Sequence, residues 1–115
     1  MNIETGTIVL VPFPFTDLSS SKVRPALVVS DTNEFDIIVV FISSVVSDKL
    51  NQTDFLILSN SIFFNETGLK KDSIIKCDKI MTLSKSIILG EIGQLLINVF
   101  QKEIKSKLKM ALKLN

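Results

Sequence analysis

The chain has one arginine, Arg24, in the stretch VPFPFTDLSSSKVRPALVVS (residues 11–30), directly before Pro25. All three prolines gather around it, together with four hydroxyl residues, Thr16 and Ser19 to Ser21; every other basic side chain is a lysine. A guanidinium is planar, permanently charged and carries five donors in a fork that fits a phosphate through two parallel hydrogen bonds. Placed where a polar loop enters a strand, Arg24 fits a phosphate-binding role or a surface ion pair, for instance with Asp17. A second candidate is Ser43-Ser44, just after the apolar run that ends at Ile42. Hydroxyls at a strand mouth can donate to a phosphate or a developing oxyanion, although serines there are also ordinary turn formers.

The residues that are missing narrow the chemistry. There is no histidine, which removes imidazole acid–base catalysis, Ser–His nucleophiles and most catalytic zinc sites. Cys77 is the single cysteine. It reads as a buried, inert thiol and excludes an intramolecular disulfide. The carboxylates are scattered, with no DxD-type cluster beyond Asp72 and Asp78, so no metal and no cofactor is expected. Glycines at 6, 68, 90 and 93 form neither a dinucleotide fingerprint nor a P-loop.

Short strands must position these groups. Gly6 to Val11 reads as a strand stopped by Pro12 and Pro14, and Arg24 to Ser30 as a second, which Pro25 restricts to an edge or a strand start. Phe35 to Ile42 (FDIIVVFI) is too continuously apolar for one wet face and predicts a buried central strand. Asp54 to Leu58 follows as a strand and Asn65 to Gly68 as a turn. Asp72 to Lys76, Lys79 to Leu83 and Ile87 to Ile92 are further short strands. Near the end the period changes: Phe100, Ile104, Leu108 and Ala111 form one apolar stripe, and Asn98 with Gln101 a capping box. The expected fold is mainly β, a small barrel of six or seven strands closed by a C-terminal α-helix.

A chain of 115 residues makes one domain over its whole length. Mean hydropathy is +0.41, yet IIVVFI, the longest apolar run, falls far short of the ~20 residues a membrane helix needs. The opening residues carry Glu4 and no basic segment of a signal peptide, so the expected location is cytoplasmic. Residues 1–60 hold three basic side chains against seven acidic, and residues 61–115 ten against five. The C-terminal half can therefore attract phosphate or an acidic partner, or simply present a solvated lysine face.

The opening G-x-IVLVPFPFTDLSSSKVRPALVVS, then FISS (41–44), GLKKDSIIKCDKIMTL (68–83) and a terminal helix, resembles the MazF/PemK family of toxin endoribonucleases from type II toxin–antitoxin pairs. The resemblance runs over nearly the whole chain. It implies an SH3-like β-barrel, usually homodimeric, that cuts single-stranded RNA at short sequences without a metal, leaving a 2′,3′-cyclic phosphate and a 5′-OH. It puts the family's catalytic arginine on Arg24 and its catalytic threonine on Ser43, with Ser44 as the alternative hydroxyl. Serine keeps the hydroxyl but loses the methyl that restricts its rotamer. RNA contacts are expected from Thr16, Lys22, Asp78 and Lys79, and from Phe13 or Phe15 as stacking groups or as core and dimer contacts. A cognate antitoxin with an acidic tail is the expected protein partner, drawn to the lysines of the last helix or to the groove. Two alternatives remain: an inactive SH3-like barrel that binds nucleic acid or an antitoxin-like peptide, and a toxin with another target such as a gyrase.

Overall fold

In the computed structural model, which describes residues 2–13 and 22–114, six antiparallel strands make one curled half-barrel sheet. The strands are β1 (Thr7–Phe13), β2 (Lys22–Ser30), β3 (Asp36–Ser43), β4 (Asp54–Ile57), β5 (Ser73–Ser84) and β6 (Gly90–Gln94). Their spatial order is β4-β5-β3-β2-β1-β6, so the earliest three strands fill the middle of the sheet.

Alternation along these strands builds two apolar layers. Ile8, Leu27, Val40 and Ile42 point to one face with Ile57, Ile75, Phe100 and Ile104. Their sequence neighbours Val9, Ala26, Val28, Val39 and Phe41 point to the other face with Ile3 and Leu83. This explains the unbroken run in β3, which is buried from both sides. The C-terminal helix covers the first face. It is assembled from α2 (Ile97–Val99), a π-type turn over Phe100–Ile104 and α3 (Lys105–Ala111). Phe100 and Ile104 are fully buried, each contributing roughly 1.5–3 kcal/mol of apolar burial.

Several boundaries differ from the sequence reading. Pro12 does not stop β1, which continues to Phe13 and pairs Pro12 with Val23. The β1–β6 ladder ends at Leu10 and the β2–β3 ladder begins at Ala26. The β1–β2 pairing therefore extends past both neighbours, and Pro12 and Pro25 fall where their strands have lost the outer partner. The two strands expected in residues 72–83 are one strand, β5, interrupted by a bulge. Asn65 to Gly68 belongs to a single helical turn, α1 (Phe64–Thr67), ended by Gly68 in the left-handed region at φ 72°. The last expected strand starts later, after a 3₁₀ turn at Lys85–Ile87. No capping box forms, because the helix already begins at Ile97; its N-cap is Leu96, which has no side-chain cap bond.

Glycine matters most where α1 meets β6. A Cβ on Gly68 would lie 2.0 Å from the Ile92 carbonyl oxygen, and one on Gly93 would lie 2.3 Å from that of Glu66. Only hydrogen fits between these two backbones.

Candidate functional site

The missing rungs beside Pro25 open the sheet. The β2–β3 register runs Val28↔Val39, Leu27↔Val40, Ala26↔Phe41 and pairs no further in that direction. Continuing the same register sets Arg24 level with Ser43, with no ladder bonds drawing the strands together. Both residues are half-buried, and both line a cavity of about 640 Å³. Alternation puts Arg24 on the face of Ala26 and Val28, and Ser43 on the face of Phe41 and Val39, which is the same side of the sheet.

The opposite wall comes from an irregularity in β5. Pairing with β3 passes from Val40↔Ile80 to Phe41↔Lys76, so Cys77, Asp78 and Lys79 have no residue opposite them in β3. Cys77 anchors this bulge. Its amide donates to the Thr53 carbonyl at 3.2 Å, and its side chain is fully buried in the helix-covered core. Burial pushes its thiol up to about 12, so it stays protonated and inert, as expected from the sequence. Asp78 and Lys79 are thrown outward to the rim, exposed and lining the cavity with Lys76, Ile80 and Met81.

The hydroxyl at 43 is oriented by its own turn. Ser43 Oγ accepts the Val45 amide at 3.1 Å, which leaves its O–H to donate into the cavity. Ser44 is exposed and outside the lining, as is Lys22 at the start of β2. Thr16 and Phe15 lie outside the described residues, and so does the side chain of Phe13. Lys76 is a lining residue that the sequence reading did not single out.

The cavity is thus cationic at Arg24, Lys76 and Lys79, with a single carboxylate among its described lining residues, Asp78. Its floor is apolar, with Phe41, Ile80 and Met81 among the lining residues. Such a site can hold a phosphodiester, offer a hydroxyl donor and accept one proton. Among the described residues, no helix is long and apolar enough to cross a membrane.

Residues 4–112 match the model of the family described as PemK-like, MazF-like toxin of type II toxin–antitoxin systems. No curated protein is significantly similar to the chain in sequence. Among solved structures, the chain resembles an endoribonuclease in complex with its cognate antitoxin, from a mycobacterial species. That match has a TM-score of 0.74 at 17% identity and covers 99% of this chain and 98% of the other. It also resembles the Mycobacterium tuberculosis toxin MazF-mt6, with a TM-score of 0.73 at 18% identity, covering 95% of this chain and 98% of that one. An endoribonuclease from a mycobacterial species shares the fold at a TM-score of 0.67 and 20% identity, with 96% and 90% covered.

Proposed function

Because the chain belongs to the PemK-like, MazF-like toxin family of type II toxin–antitoxin systems, we propose that it is an endoribonuclease cutting single-stranded mRNA in the cytoplasm without a metal. The observation that carries the reading is the convergence of Arg24, Ser43 and Asp78 on one open cavity. RNA brings its own nucleophile. The 2′ oxygen attacks the adjacent phosphorus, a new 2′-O–P bond forms, and the bond to the 5′ oxygen breaks. The products are a 2′,3′-cyclic phosphate and a 5′-OH.

The protein then has to orient the phosphate and neutralise charge on the pentacoordinate phosphorus. Arg24 binds the non-bridging oxygens, and the Ser43 hydroxyl donates to one of them. Asp78 takes the 2′ proton, and the leaving 5′ oxygen receives a proton from the cationic wall. Lys79 contacts the flanking backbone. Bases splay over the apolar floor, with Lys22 and Ser44 farther along the strand of RNA.

The proposal extends to a homodimer and to an antitoxin whose acidic tail neutralises the toxin. Lys102, Lys105 and Lys109 on the last helix and Lys113 just past its end are exposed and suit such a tail. The deciding experiment is cleavage of a long RNA by the purified full chain in EDTA, with ends mapped by primer extension. Cleavage that survives Arg24→Ala in a folded variant overturns the mechanism. A second reading, a barrel that binds RNA without cutting, draws on Ser43 standing where the family carries threonine. Stable RNA binding with no product over long incubation would establish it.

A further inference from the structure

Asp54 opens β4, and its side chain is only 2% exposed. Its Oδ2 accepts the Asn51 amide at 3.0 Å and stands 3.7 Å from Lys76 Nζ. Its Oδ1 is also buried, and no donor among the described residues meets it. A buried carboxylate with one unserved oxygen is costly, and a single long ion pair offsets that cost poorly. An apolar residue would pack better at this position, as Phe55 to Ile57 do immediately after it.

The register shows where the charge acts. Asp54 is opposite Lys76 across β4–β5, and Lys76 is opposite Phe41 across β5–β3. Directly paired residues share a face, so the three side chains form a row leading to the cavity that Phe41 and Lys76 line. We propose that Asp54 is a positioning residue, which holds the Lys76 ammonium at the cavity wall within reach of the scissile phosphate. This rests on the endoribonuclease reading above. Lysine is a point charge on a flexible stem, so a buried counter-charge restricts where its ammonium goes.

A tether and a purely structural carboxylate differ in the sign of one effect. Removing the counter-charge leaves Lys76 fully uncompensated before a polyanion. RNA then binds more tightly and with steeper salt dependence, while cleavage slows because the ammonium is no longer held. A structural defect weakens both.

Asp54→Asn tests this, since it keeps the shape and the acceptor for the Asn51 amide. Binding is read with a fully 2′-O-methylated RNA of the cleaved sequence, which lacks the nucleophile, and cleavage with the unmodified RNA under single turnover. The expected result is roughly tenfold slower cleavage, tighter binding, and a salt slope steeper by about 0.7. In a Lys76→Met background the same substitution changes neither quantity. Wild-type cleavage in Asp54→Asn overturns the proposal, and so does a joint loss of binding and cleavage. Should that variant not fold, Lys76→Met alone decides: slower cleavage by a similar factor supports the proposal, and normal cleavage overturns it. A wild-type chain that binds RNA but never cuts it fails the endoribonuclease reading instead, while the affinity and salt measurements still decide whether Asp54 restrains Lys76.

Discussion

Arg24 and Ser43 line one cavity from neighbouring strands, each two residues past Ala26↔Phe41, the last rung of the β2–β3 ladder. Pro25 lies in that gap. It has no amide to continue the ladder, so the arginine beside it faces an opening rather than a closed sheet. The Arg-Pro pair is thus one device: the proline ends the pairing and the arginine occupies the space.

Arg24→Ala is expected to lower RNA cleavage by about 10²–10³, the usual effect of losing one preorganised charge-stabilising donor. Arg24→Lys retains the charge but not the fork, and recovers only a small part of the rate. Single-turnover cleavage, with circular dichroism to confirm folding, checks both.

Substitutions at 43 test the hydroxyl itself. Ser43→Ala removes a donor worth about 1.5–3 kcal/mol to a charged acceptor and should slow cleavage roughly tenfold or more. Ser43→Thr keeps the hydroxyl, narrows its rotamers and should retain cleavage. Equal rates in the alanine and wild-type chains would remove Ser43 from the mechanism.

A base at Asp78 is tested by removing it. Asp78→Asn keeps the shape of the side chain and should lower kcat/KM by about 10²–10⁴ in a folded variant. Wild-type cleavage in that variant would assign the proton to another group.

Cys77 predicts both reactivity and alkaline behaviour. Its thiol sits at about 12 in the folded chain against an ordinary 9.0. The fold therefore binds this proton more tightly than the unfolded chain does. That contribution is fully present below about pH 9 and is lost as pH rises toward about 12. Native protein should resist iodoacetamide at neutral pH and react once unfolded in urea. Rapid labelling of the native state would contradict the burial.

The α1–β6 contact should tolerate no added carbon. Gly93→Ala forces backbone against backbone, and a destabilisation of about 1–3 kcal/mol, or more, is expected from overpacking. Urea midpoints measure it. Gly90→Ala, where a Cβ meets nothing within 4 Å, is the matched control.

Much of this architecture was legible in the chain because hydrophobic period reports locally which face of an element is apolar. The β3 run required burial on two sides, and the 100–104–108 stripe required a helix lying on a core. The lack of histidine confined acid–base and charge chemistry to arginine, hydroxyls, lysines and carboxylates. The site's second wall was not legible. Residues 72–83 looked like two strands because the bulge at 77–79 breaks the alternation, and nothing local shows that β3 skips these residues. Nor could the chain alone show that Asp54 lies opposite Lys76, or that the β2–β3 ladder stops short of Arg24. Such facts are registers between distant segments, set by how both faces of the sheet pack together, and only the folded chain decides them.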